Sequence, residues 1–328
     1  MTHWLLMFAC SGSHQVEGPV TVAPEERKLV LAAYTTPREA YADVLPLFAD
    51  QWKQKTGETV TFEESYQGSG AQARAVVEGL EADVVALSME PDIGTIQKAG
   101  LITHDWKKAA SGGMVTRSIA VIAVREGNPK AITDWSDLAR ADVEVLTPNV
   151  RTSGGAMWNV LAIWGSKRAS PADAEALLAG VLGRVSVMDK GARESIVNFE
   201  KGVGDAAITY ENEVLTAKGA GQAMDYVVPP STIRIDNPIA VVDTWADKHG
   251  NRDLAEAFVV FCASPEAQKV YAKHGLRPVD ETAMPAGLPA PADLFTIDDL
   301  GGWATAKAAL FDKDAAYDRA LNAAQTGK

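Results

Sequence analysis

Ser153-Gly154-Gly155 brings together the residue types of an anion site. A hydroxyl stands beside two glycines, which let the backbone come close to a ligand. An apolar run over residues 143–146 precedes it, and Met157, Val160, Leu161 and Trp164 follow at helical spacing. The spacing predicts a strand that hands over to a helix at Ser153. The first N–H groups of a helix lack intrahelical partners, and with a hydroxyl they form a site for negative charge. Taken alone, the tripeptide also reads as a plain helix cap. Three more handovers of this kind occur, at residues 35–38, 67–70 and 191–193. Their residues have ordinary readings too: Ser69 as a turn or cap residue, Tyr210 as the edge of a core, and Glu194 as a first-turn acid favoured by the helix dipole. Arg38, Arg74 and Arg193 read either as solvated charges or as groups near the site that offset an acidic field without touching the anion.

The elements that must position these residues alternate between strand and helix. Strands are expected over residues 29–34, 59–63, 83–87, 118–124, 143–146, 184–188, 206–210 and 239–242. Helical patterns lie between them, the first with Thr36 as cap, Pro37 in the first turn and Glu39 completing a capping box. Such alternation predicts an α/β chain of parallel sheets covered by helices, with ligands outside the carboxyl ends of the strands. All four handovers lie at those ends.

The 328 residues suggest two lobes, and a composition 47% hydrophobic and 23% charged is that of a globular chain. A formal net charge of -12 argues against nucleic acid and anionic membranes as partners. Any bound anion must then be held by local donors. No apolar stretch is long enough to span a bilayer. Two cysteines and five scattered histidines give no disulfide framework and no metal spacing. Cys262 sits in an apolar pattern and reads as a buried small hydrophobe. Cys10 follows a short apolar run, as in a bacterial lipoprotein signal whose cysteine is lipidated, and residues 11–26 read as a tether. The basic start of such a signal is missing, so a chance cysteine in a tail is the other reading.

From about residue 29 to 310 the chain resembles the bacterial sulfate/thiosulfate-binding proteins that serve ABC transporters. The resemblance rests on the run from Tyr66 to Val76, on Gly127-Asn128-Pro129-Lys130, on Thr147-Pro148-Asn149 and on Thr152-Ser153-Gly154-Gly155-Ala156. Gly191-Ala192-Arg193, Glu211-Asn212-Glu213, Leu294-Phe295-Thr296-Ile297-Asp298 and Gly301-Gly302-Trp303 continue it in the same order. The resemblance implies a two-lobed periplasmic-binding-protein fold of type II with a hinge of crossing strands. It implies a monomer outside the cytoplasmic membrane that binds sulfate or thiosulfate for a permease, without cofactor or catalysis. The backbone of Thr35, Ser69, Gly154, Gly155 and Ala192 would donate, with the Ser153 hydroxyl, and Tyr210 would stand at the family's indole position. The family's aspartate after the first-strand tyrosine is Thr35 here, and its glycine after Gly-Ala-Arg is Glu194.

These readings assign residues 28–113 and 239–328 to one lobe and residues 114–238 to the other, after a segment 1–27 of signal remnant and tether. An outward Glu194 leaves a donor-only cavity suited to sulfate. An inward Glu194 would accept a proton and favour phosphate. A serine hydrolase is the alternative of a different class, but Ser153 lacks both the Gly-x-Ser-x-Gly elbow and a paired histidine.

Overall fold

The computed structural model describes residue 1 and residues 26–326. The chain begins with three strand–helix units: β1 (Glu26–Tyr34), α1 (Arg38–Thr56), β2 (Thr59–Gln67), α2 (Ser69–Val77), β3 (Val84–Ala86) and α3 (Glu90–Lys98). β4 (Met114–Arg125) leads to β5 (Val145–Pro148), α4 (Gly154–Gly165), α5 (Pro171–Leu182), β6 (Val185–Asp189), α6 (Ala192–Glu200), β7 (Ala206–Tyr210), α7 (Glu211–Gly219) and β8 (Met224–Val227). β9 (Ser231–Val241) returns the chain to α8 (Asp243–His249), α9 (Arg252–Cys262) and α10 (Pro265–Lys273). β10 (Asp293–Phe295), α11 (Gly302–Leu310) and α12 (Ala316–Thr326) complete it.

Burial on both faces explains the apolar strands. Leu29, Leu31 and Ala33 of β1 enter one core layer, and Val30 and Ala32 enter another. β4 does the same in the second half: Ile119, Val121 and Ala123 face one layer, Ala120, Ile122 and Val124 the other. The strands run in the order β2-β1-β3-β9-β4-β7-β5-β6. β1 is parallel to β2 and β3, and β5 is parallel to β6 and β7. The sheet is mixed rather than parallel throughout, because β4 and β9 cross between the halves. β9 is antiparallel to β3 through residues 239–241 and to β4 through residues 234–238; beyond this, β4 is antiparallel to β7.

The C-terminal segment packs against the second half. β10 pairs with β9 at residues 231–233, and Phe295, Leu310 and Tyr317 enter the same core as Leu178 and Leu182 of α5. Trp303 packs edge-on against Trp158 of α4, with ring centroids 4.8 Å apart. Arg168 reaches Asp293 at 2.8 Å and Arg319 reaches Glu175 at 2.6 Å. Residues 293–326 thus cover the second half. Its helices α4 and α5 have apolar sides left uncovered by the sheet, and the C-terminal helices supply the missing layer.

Phe295 is the anchor of this segment. It is 1% exposed, and Gly165 lies so close to its ring that no Cβ would fit between them. Phe295→Ala is expected to cost about 3–5 kcal/mol in urea unfolding. A loss below about 1 kcal/mol would show that the segment contributes little to this core.

Candidate anion-binding site

Each expected donor lies where a strand ends and a helix starts. In α2 the first ladder bond runs from Gln72 N–H to Gly68 O at 2.9 Å, so the N–H groups of Ser69, Gly70 and Ala71 precede the ladder. In α6 the first is Ser195 N–H to Gly191 O at 3.2 Å, which leaves Ala192, Arg193 and Glu194 ahead of it. At α4, Ser153 N–H donates to Asn149 O at 3.0 Å, and Ser153 Oγ accepts from Ala156 N–H at 3.4 Å. Ser153 is therefore a helix cap whose hydroxyl proton is still available to a ligand. The expected capping box at Thr36 and Glu39 does not form. α1 starts at Arg38 without a side-chain cap, and the Glu39 carboxylate is drawn instead to Arg193.

These helix starts converge. Thr35, Ser69, Ser153, Gly154, Gly155, Ala192 and Tyr210 all line one small cavity between the two halves of the sheet. Tyr34, Thr36, Gly68, Ser88 and Gly191, none of which the sequence reading named as ligand-binding, complete the lining. No lining residue carries a charged side chain. Three glycines make the approach possible. A Cβ on Gly68 would stand 2.6 Å from Thr152 O, and one on Gly154 2.6 Å from Ser88 Oγ. One on Gly155 would stand 2.8 Å from the Tyr210 ring.

Behind the cavity runs a chain of hydrogen bonds. Ser69 Oγ donates to Asp92 Oδ2 at 2.5 Å and accepts from Ser88 N–H at 2.9 Å. The Ser69 hydroxyl is thus committed, and what it can offer a ligand is its backbone N–H. Ser88 Oγ lies 2.7 Å from the Tyr210 hydroxyl. Burial raises the Tyr210 pKa well above its usual range, so the phenol stays neutral. Burial also lifts the Asp92 carboxyl to about 6, against the opposing pull of the Ser69 hydrogen bond and of Arg74.

The charged residues around the cavity are engaged elsewhere. Arg193 is half-buried and pairs with Glu39 at 2.7 Å and with the fully buried Glu213 at 2.6 Å. It spans the cleft from α6 to α1 as a strut. Arg38 is exposed and stacks on the Tyr66 ring at 4.9 Å. Arg74 is exposed and approaches Asp92 and Gly70 from outside. Glu194 is exposed, with its carboxylate folded back over Gly191 and absent from the lining.

A larger open depression lies at the other end of β1. Both its Arg27 and its Lys28 are paired, Arg27 to Asp253 at 2.7 Å and Lys28 to Glu63 at 2.6 Å. The three histidines among the described residues pair with Asp243, Asp83 and Asp43, none of which lines the cavity. Among the described residues no group of His, Cys, Asp and Glu could hold a metal ion.

Asp92 makes stability depend on pH. Its carboxyl titrates near 3.8 when unfolded and near 6 in the fold, so the folded state binds the proton more tightly. The stability this contributes is present below about 4 and lost as pH rises through about 6. Across that window the wild type is expected to lose on the order of 3 kcal/mol relative to Asp92→Asn, read from urea midpoints. A wild-type-to-variant difference that stays constant with pH would show that folding does not shift the Asp92 carboxyl.

Comparison with known proteins follows the same lines. Residues 29–277 match the family of bacterial extracellular solute-binding proteins. A sulfate-binding protein of Synechococcus elongatus is 43% identical over 323 residues, covering 96% of this chain and 92% of the relative. A thiosulfate-binding protein of Pseudomonas aeruginosa is 32% identical over 302 residues, covering 89% and 91%. The solved structure of the sulfate-binding protein SubI of Mycobacterium tuberculosis superposes with a TM-score of 0.81 at 37% identity, covering 87% of this chain and all of that one. With its strand ends and helix starts closing on one cavity, this chain belongs to the bacterial extracellular solute-binding proteins.

Proposed function

We propose that the protein captures sulfate in this cavity and hands it to the permease of an ABC transporter on the outer side of the cytoplasmic membrane. One observation carries the reading: the cavity is lined by helix-start backbone and by Ser, Thr and Tyr residues, with no carboxylate and no charged side chain. Sulfate has no proton near neutral pH, so a shell of donors matches it fully. Phosphate keeps a proton over much of that range and would press it against donors. An unmatched buried polar group costs about 1–3 kcal/mol, enough to separate the two anions. Glu194, the one carboxylate the sequence placed near the site, is turned outward. Relatives named for sulfate and for thiosulfate support the class of ligand.

In this reading the donors are the backbone N–H groups of Thr35, Ser69, Gly154, Gly155 and Ala192, with the hydroxyls of Ser153 and Tyr210. The lobes we infer are residues 28–113 with about 239–292, and residues 114–238 with 293–326, hinged at β4 and β9. A lipid anchor on Cys10, which lies outside the described residues, would hold the protein at the membrane surface.

Calorimetry with sulfate and phosphate at neutral pH tests the ligand. Sulfate is expected to bind at least about tenfold more tightly, the equivalent of one unmatched proton. Phosphate binding as tightly as sulfate overturns the reading. Gly68→Ala is expected to block closure against Thr152 and to weaken sulfate about tenfold or more, with the ligand-free melting temperature unchanged. Small-angle scattering should show compaction with sulfate in the wild type and none in this variant. Mass spectrometry of the native protein should find diacylated Cys10 at the mature N-terminus; an unmodified peptide spanning Ala9 and Cys10 rules the anchor out.

A further inference from the structure

Ser88 lies two residues beyond β3 and is fully buried. Its backbone is held on three sides. The N–H donates to Ser69 Oγ, and the carbonyl accepts from Trp158 Nε1 at 3.0 Å and from Asn237 Nδ2 at 2.9 Å. The side-chain hydroxyl faces Tyr210, which is itself 1% exposed. Ser88 and Tyr210 both line the cavity, and Gly154 packs over the Ser88 side chain.

The protons can be counted. Two hydroxyls carry two protons and share one hydrogen bond. Among the described residues, neither oxygen has another protein hydrogen-bond partner. One proton is used within the pair and the other must go to whatever fills the cavity.

We infer that Ser88 is a positioning residue that sets the selectivity of the site. It donates to the phenolic oxygen of Tyr210, which fills the phenol's main acceptor site and directs the phenol's own proton at the occupant. The inference rests on the anion reading above. A fully deprotonated anion takes the Tyr210 proton, and both hydroxyl protons are placed. A protonated anion brings a third. To accept it, Tyr210 must turn its own proton toward Ser88, and the Ser88 proton then loses the phenolic oxygen as its acceptor. Without the Ser88 hydroxyl, the phenolic oxygen has a lone pair open to the ligand's proton and the bias against such anions weakens.

Calorimetry with sulfate and phosphate at neutral pH, on the wild type, Ser88→Ala, Tyr210→Phe and the double variant, tests this. Ser88→Ala is expected to weaken sulfate about three- to tenfold and phosphate less, so the ratio between them narrows. In the Tyr210→Phe background the same change is expected to do nothing, because Ser88 acts only through the phenol. Ser88→Cys, a weaker donor of similar size, should fall between wild type and Ser88→Ala, which keeps the test open if the alanine variant folds poorly. Equal weakening of both anions, or the same loss with and without the phenol, would mean a merely structural role and overturns the inference. A wild type that binds sulfate while Ser88→Ala and Ser88→Cys are unchanged overturns this inference alone. A wild type that binds no sulfate overturns the anion reading and this one with it.

Discussion

A small anion taken out of water needs a donor for every lone pair it loses, and backbone donors cannot be moved separately from their helices. That constraint organises the rest of the molecule. To aim N–H groups of α2, α4 and α6 at one point, the helices must begin at strand ends that face each other across a cleft. To bring those starts within contact, the chain must have no side chain at the crossing points. Gly68, Gly154 and Gly155 meet this need against Thr152, Ser88 and Tyr210. Their role is space, since none of the three has a positive φ.

The halves must also be able to part. β4 and β9 give two crossing strands: they pair with each other, β4 continues along β7 and β9 continues along β3. Bending there changes the angle between the halves and leaves each set of parallel strands intact. The contacts across the cleft suit repeated breaking. Arg193 shares its guanidinium between buried Glu213 on its own side and the half-exposed Glu39 on the other. The Glu213 pair stays desolvated and cannot be given up cheaply, whereas a pair with a partly solvated carboxylate contributes little net energy.

Much of this was legible in the sequence, for physical reasons. Ser, Thr and Gly at strand-to-helix junctions announce themselves through the needs of the first turn, and all seven residues expected at the site line the cavity. Ser88 escaped notice because β3 spans three residues and is followed by Leu-Ser-Met, which carries no turn signal of its own. It sits at a strand's carboxyl end like the others, and that rule applied to every strand would have found it. Trp158 escaped because α4 is buried almost all round, so the face marked by Met157 and Leu161 had no polar opposite to define it. The capping box at Thr36 failed because Glu39 had a stronger partner across the cleft, which local spacing cannot reveal. The place of residues 293–326 depends on which apolar helix lacks a cover, a property of the assembled second half.

The absence of an arginine from the lining is informative, since this protein has a net charge of -12 and yet presents itself as an anion site. At physiological ionic strength exposed charges are screened within about 8 Å, so the acidic surface matters less at the cavity than its nearest dipoles. A guanidinium in contact would draw in any anion of sufficient charge, protonated or not, because Coulomb attraction does not ask where the proton sits. Neutral donors do ask. Each supplies one proton in one direction, and an anion that brings its own finds no acceptor. Arg193, within reach of the cavity's rim, is held off by two carboxylates, and Arg38 by an aromatic face. Keeping cations near but occupied leaves discrimination to hydrogen-bond matching, and it leaves the bound ion without a counter-charge that would hold it when the halves open.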